Sequence, residues 1–394
     1  MVSFLFIALI MLLLAAILSQ EPFVFTLLYI LLAVFVLDLV WKRQVAKSIQ
    51  VDRRMQARAF PDEPVQVQLK IDNKGWMPLV WGQLSEGFPP GVSIRTFQQV
   101  ITLGGHQTQL LEYNFKVPKR GVYPIGPLNL THGDLMGFSK DQRFTLHSQP
   151  LIVYPKVVPL QELGFPSISP LGNKKYHQPI FEDPTRPIGK RDYQRGDSQR
   201  RIDWRASASI GSLQVKLFEP AIALETAIFL DLNRDAYPQK RYIDAIELAI
   251  STAASIASWV VESRESVGLY TNGKNLLEDY QKPIVFPPAK GYAQLMEILE
   301  GLAKVQSMET QSIENLIHQQ KVNLSWGATL VVIAGSAPQT LFDQMIQSQR
   351  VGLQVVLVLV GDVVGVDEIK TKANYLGVDC YHILYGIDLK SWAV

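Results

Sequence analysis

The sequence predicts an α/β plus β architecture carried on an N-terminal two-helix membrane hairpin. Three observations predict it. The chain opens with two apolar runs separated by one break, its middle alternates apolar and polar residues, and its end alternates β-branched runs with helical stripes. The 394 residues divide into an anchor over 1–43, a β-sandwich over 48–150, a charged segment over 183–219 and an α/β domain over 220–394.

The anchor comes first. Val2 to Ser19 carries no charge, Gln20, Glu21 and Pro22 interrupt it, and Phe23 to Trp41 is apolar again except for Asp38. Each run approaches the ~20 residues that cross a bilayer as helix. A cleaved signal peptide over the first run is the competing reading. It lacks the basic start and the small-residue cleavage site such a peptide carries. Lys42, Arg43, Lys47, Arg53 and Arg54 follow, opposed only by Asp52. Basic clusters beside a span stay in the cytoplasm, so the expected location is the cell membrane, multi-pass, with the body on the cytoplasmic side. Asp38 is either a polar group with a task inside the membrane or a carboxylate reaching water near the interface.

Strict alternation in Val65 to Asp72 marks a strand with one buried face, and Asn73-Lys74-Gly75 supplies a turn. Short runs at Leu79 to Leu84, Val92 to Ile101, Leu110 to Val117 and Leu128 to Thr131 follow, with Pro and Gly between them. That spacing predicts an antiparallel, immunoglobulin-like sandwich.

From Ala223 the pattern changes again. Strands are expected at Thr226 to Leu232, Val267 to Tyr270, Thr329 to Ala334, Leu353 to Val360 and Cys380 to Ile383. Helices are expected at Arg241 to Glu265, Tyr292 to Val305, Gln311 to Gln320, Gln339 to Arg350 and Asp367 to Leu376. The first helix carries one stripe of Ile243, Ile246, Ile250, Ala253, Ala257 and Val260. Strands this apolar require a mostly parallel sheet covered on both faces. No Gly-rich loop follows the first strand, so nucleotide binding is not expected. That strand runs into Asp231, Asn233 and Asp235, whose oxygens could take a hard cation such as Mg²⁺ or could simply end a strand and cap a turn.

Between the two domains, Arg186, Lys190, Arg191, Arg195, Arg200, Arg201 and Arg205 interleave with Asp183, Asp192, Asp197 and Asp203, followed by Trp204. Arginine grips carboxylates through a planar fork, so such spacing suits an ordered polar network; a solvated linker is the alternative. The net charge of +2 gives no field that would gather nucleic acid, and no nucleic-acid partner is expected. A lone cysteine, Cys380, excludes an internal disulfide, and the six histidines stand singly without zinc-ligand spacing.

Arg191-Asp192-Tyr193-Gln194-Arg195-Gly196-Asp197, then Arg200-Arg201-Ile202-Asp203-Trp204-Arg205-Ala206-Ser207-Ala208 and Leu213 to Glu219, resembles the signature of bacterial domain-of-unknown-function family fifty-eight. Lys119 to Tyr123 and Gly133 to Gly137 fit as well, and Ser209 stands where the family often has Arg. The resemblance implies a von Willebrand factor A-like (Rossmann-type) fold for the last third. It also implies a setting beside MoxR-type AAA+ ATPases and membrane-bound transglutaminase-like proteins. The adhesion-type pattern Asp-x-Ser-x-Ser is replaced here by Asp231, Asn233 and Asp235, and positions near Ser336 lack the later Asp.

The expected function is therefore a non-catalytic membrane-anchored adaptor or assembly factor without a cofactor. Its interaction motif is Arg191, Asp192, Tyr193, Gly196, Asp197, Arg200, Arg201, Asp203, Trp204 and Ser207. The alternatives are a cation-dependent binding module centred on Asp231 and a hydrolase using Asp192, Asp197 or Asp203 as acid or base.

Overall fold

In the computed structural model, residues 2–19, 21–133, 140–160, 182–194, 197–220, 225–238, 240–275, 283–307, 311–386 and 388–389 are described. They fall into two units, Met1–Lys156 and Val157–Val394.

In the first unit, α1 (Val2–Ser19) and α2 (Pro22–Ser48) are in contact. Pro22 starts α2 where a missing N–H costs nothing. The helix is long and apolar enough to cross a bilayer, and it exposes Tyr29, Ile30 and Leu37. It continues past the expected end of the anchor at 43, because Val45 is buried in the core of the β module that follows.

That module holds β1 (Ile49–Met55), β2 (Arg58–Ala59), β3 (Val65–Asn73), β4 (Leu79–Gly87), β5 (Thr96–Leu103), β6 (Thr108–Phe115), β7 (Gly121–Ile125), β8 (Leu128–Gly133), β9 (Lys140–Leu146) and β10 (Gln149–Val153). They form three sheets, ordered β1-β3-β6, β2-β10-β7 and β5-β4-β8-β9. Val65, Val67, Leu69 and Ile71 are all fully buried, as the alternation requires. The core also holds an ion pair. Arg53 donates to Glu86 and to His147 O (2.9 Å), and the Tyr113 hydroxyl donates to the other Glu86 oxygen. Arg53 therefore belongs to the module's interior and not to a basic collar beside the membrane.

The second unit begins with β11 (Glu182–Asp192), then α3 (Trp204–Ile210), then β12 (Gln214–Pro220), which pairs antiparallel with β11. The remaining elements are β13 (Glu225–Leu230), α4 (Tyr242–Glu262), β14 (Ser266–Thr271), β15 (Lys274–Asn275), β16 (Ile284–Lys290), α5 (Tyr292–Lys304), β17 (Val305–Gln306), α6 (Ile313–Gln320), β18 (Thr329–Ala334), α7 (Gln339–Arg350), β19 (Gln354–Val360), α8 (Val366–Tyr375) and β20 (Asp379–Ile383). The main sheet runs β16-β14-β13-β18-β19-β20, parallel throughout except for β16 at one edge. On one face Phe229, Val332 and Leu357 pack with Leu316, Phe342 and Met345 from α6 and α7. On the other, α4 covers β13, β14, β18 and β19. Both faces are thus covered, which is why β13, β18 and β19 read as continuous apolar runs.

Two expectations need correction. Ile243 does not join the buried stripe of α4, since it is 56% exposed while Ile246 and Ile250 are buried; the stripe starts one turn later. The edge strand β16 was not expected, because Pro287 and Pro288 interrupt it. Proline is tolerated there since β16 occupies the outer position.

Candidate functional site

The β11–β12 hairpin brings the charged motif together. Register sets Lys190 opposite Lys216, Arg191 opposite Val215 and Asp192 opposite Gln214. Between the strands, a 3-10 turn over Gln199–Arg201 leads into α3. Asp203 caps that helix, its Oδ1 accepting from Ala206 N at 3.1 Å, and Gly211 closes it in the left-handed conformation at φ 79°.

Each motif carboxylate has a partner inside the motif. Arg191 grips Asp197 with both guanidinium arms at 2.7 Å, and Gln194 N donates to the same carboxylate at 2.9 Å. Lys190 Nζ lies 2.9 Å from Asp203 Oδ2. The Gln214 amide donates to Asp192 Oδ1 and to Ser212 Oγ, the latter at 3.1 Å. Ser207 ties helix to strand, donating to Asp203 O and accepting from Gln214 N, both at 2.8 Å. The arginine fork holds Asp197 below the usual carboxylate range, and the Lys190 ammonium does the same for Asp203.

The motif therefore separates into two groups. Arg191, Asp192, Asp197, Asp203 and Ser207 form one connected network. Arg200 and Trp204 face solvent, Trp204 at 67% exposure, with Ile210 and Leu213 exposed nearby in sequence, while Arg201 is exposed and its charge acts on Asp197. Tyr193 is half-buried, its backbone N–H bonded to Leu213 O at 2.8 Å. Gly196 lies outside the described residues, as do positions 134–137 of the upstream family match. Sequence reasoning passed over Lys190, Ser212 and Gln214 as site residues. The signal available for them was the strand continuation Leu213 to Phe218, which places Gln214 against Asp192.

A second polar cluster sits beyond the carboxyl ends of β13 and β18, where the sheet order reverses. Asp231 is buried there. Its Oδ1 accepts from Asn233 N (2.9 Å) and from the Asn272 amide (2.8 Å), and its backbone oxygen accepts from the Tyr237 hydroxyl at 2.6 Å. Asn272 also accepts from Leu232 N at 2.7 Å and donates to Gln311 O at 3.1 Å, linking three loops. Burial, more than the nearby Glu314 charge, pushes the Asp231 carboxyl up to about 6. Asn233 Oδ1 accepts from Asp235 N at 3.2 Å, and Asp235 is exposed. Asp231 and Asn233 thus serve N–H groups of their own loop, while the Asp235 side chain points to solvent. Among the described residues no group of three His, Cys, Asp or Glu side chains is placed to hold a metal.

Residues 189–362 match the family described as "Protein of unknown function DUF58". A curated relative, "Uncharacterized protein YeaD" of Bacillus subtilis (strain 168), is 23% identical over 271 residues, covering 65% of this chain. The match spans 62% of that relative's length, less than two thirds. Among solved structures, a von Willebrand factor type A protein from Catenulispora acidiphila is similar over 45% of this chain and 42% of its own, with 10% identity and a TM-score of 0.31. An aerotolerance-related membrane protein from Bacteroides fragilis NCTC 9343 covers 35% of this chain and 68% of its own, with 18% identity and a TM-score of 0.26. A CARDB domain from Pyrococcus furiosus covers 27% of this chain and 91% of its own, with 12% identity and a TM-score of 0.21.

Proposed function

We propose that this chain belongs to family DUF58 along its whole length and acts as a non-catalytic, membrane-anchored adaptor or assembly factor. In this reading the two N-terminal helices span the membrane and the soluble body lies in the cytoplasm. An immunoglobulin-like module precedes a von Willebrand factor A-like domain. The β11–β12 hairpin presents a surface to a MoxR-type AAA+ ATPase or its client, in company with a membrane-bound transglutaminase-like protein.

One observation carries the reading. The motif carboxylates are consumed within the motif, while Arg200, Arg205 and Trp204 are left facing outward. Exposed arginine and tryptophan are the residue types that dominate protein–protein binding energy. The same pairing argues against a general-acid role for Asp197 or Asp203 in the hydrolase alternative. A carboxyl held low by Arg191 or Lys190 is ionised at neutral pH and has no proton to donate.

The test is binding between the full-length chain in detergent and a purified MoxR-type ATPase from the same organism. Arg200→Ala and Trp204→Ala are each expected to weaken binding about tenfold or more, about 1.4 kcal/mol. Asp197→Ala should weaken it indirectly, by releasing Arg191. No measurable association of the parent chain, or three variants that bind as the parent does, would end the adaptor reading.

A further inference from the structure

Helix α4 has two working faces. Ile246, Ala249, Ile250, Ala253 and Ala257 press on the sheet and are buried. A second stripe at helical spacing, Arg241, Asp244, Ala245, Leu248 and Ser251, lines a cleft of about 400 Å³. Small-ligand sites have volumes of roughly 300–1,000 Å³. The opposite wall comes from the loops that leave β19 and β20, through Gly361, Asp362, Leu384 and Tyr385. The cleft thus lies beyond the carboxyl ends of parallel strands, where open α/β sheets hold their ligands.

The walls are fixed in advance. Gly361 N donates to Ile383 O at 2.8 Å, and the His382 Nε2 nitrogen lies 2.8 Å from Gly361 O. Leu384 N and Tyr385 N both donate to Asp388 Oδ2, at 2.9 and 2.7 Å. Gly361 adopts φ 88°, and a Cβ added there would stand 2.9 Å from the Ala245 Cβ. Only glycine lets the β19 loop come this close to α4 and close the bottom of the cleft.

The lining has a definite chemistry. Ala245, Leu248 and Leu384 are aliphatic, and among the described lining residues Asp244, Glu247 and Asp362 share the rim with one cation, Arg241. Asp244 and Asp362 are exposed and make no ion pair or side-chain hydrogen bond among the described residues. An aliphatic wall beneath an excess of carboxylate matches a charged ammonium on a short hydrocarbon stem. We propose that this cleft binds an alkylammonium group, its stem on Ala245, Leu248 and Leu384 and its charge at the Asp244–Glu247–Asp362 rim. Two sources share that chemistry, a free aliphatic diamine and a lysine side chain of another protein. The site is separate from the hairpin motif and does not depend on the adaptor reading.

Calorimetry on the full chain in phosphatidylcholine nanodiscs tests this with three probes: 1,5-diaminopentane, an N-acetylated lysine methylamide and 1-pentanol. Saturable heat is expected from at least one amine and none from the alcohol. Tighter binding of the diamine points to a free ligand, and tighter binding of the lysine derivative points to a protein side chain. Asp362→Asn and Asp244→Asn are each expected to weaken the amine about tenfold. Asp362 lies in a loop and Asp244 in a helix, so each variant reads independently of how the other folds. Absence of saturable heat with both amines, equal heat from the alcohol, or unchanged affinity in both variants would overturn the proposal.

Discussion

Asp231 is a carboxylic acid moved well away from its ordinary behaviour. Burial disfavours the ion and pushes its carboxyl up to about 6 in the folded chain, against 3.8 for an unperturbed Asp. Between those two values the folded state binds more protons than the unfolded state, so stability falls as pH rises through that window. Two pH units correspond to about 3 kcal/mol. Asn in its place can accept the same N–H bonds without the charge. Asp231→Asn is therefore expected to raise the melting temperature near neutral pH and to remove the decline between about pH 4 and 6; thermal melts across that range check it. Asp197 and Asp203 act with the opposite sign. Their folded values are depressed, so their stabilisation is present above 3.8 and lost as pH falls below it. Inside the β module, Arg53 and Glu86 have side chains 2% and 0% exposed. Removing one partner strands the other charge away from water. Glu86→Ala is expected to cost about 3–5 kcal/mol, whereas replacing both with apolar residues should cost less. Urea melts of the single and double variants separate the two outcomes.

Among the elements, α3 depends most on one side chain. It has seven residues, and its N-terminus is held by the Asp203 carboxylate on Ala206 N. Asp203→Ala removes that cap together with the Lys190 pair, and amide exchange across 204–210 should rise while exchange in β18 stays unchanged. How far such elements were legible depends on what shaped them. β18 and α7 match their expected bounds, Thr329–Ala334 and Gln339–Arg350, since a buried strand and an amphipathic helix write their period into the sequence. β16 and β11 escaped because Pro184, Pro187, Pro287 and Pro288 mask their strand character. The strand expected from Val92 begins at Thr96. In the site, the interleaved charges announced an ordered network, and Arg191 with Asp197 is six residues of local chain. Gln214 meets Asp192 from 22 positions away, and Asn272 meets Asp231 from 41. Those pairs are set by strand register and sheet order, which local spacing does not encode.

For the molecule as a whole, the decisive quantity is the side of the membrane on which the body lies. In the proposed anchored topology, basic residues within ~15–20 positions of the span set that side, because Lys and Arg close to a span resist translocation. Folding alters the count. Arg53 is buried against Glu86 and is withdrawn from it, while Arg43, Lys47 and Arg54 remain exposed and Lys42 follows the apolar run directly in sequence, against Asp52 alone. The excess stays positive, which supports the proposed placement of the body on the cytoplasmic side. Protease added to intact cells carrying a C-terminally tagged chain should leave the tag-bearing fragment whole, and protease added to inverted vesicles should remove it. Replacing Lys42, Arg43 and Lys47 with Gln weakens the collar without touching the β module's core, and a fraction of chains should then become sensitive from outside. Cleavage of the parent chain in intact cells would place the body, and with it the hairpin motif, beyond the reach of any cytosolic ATPase.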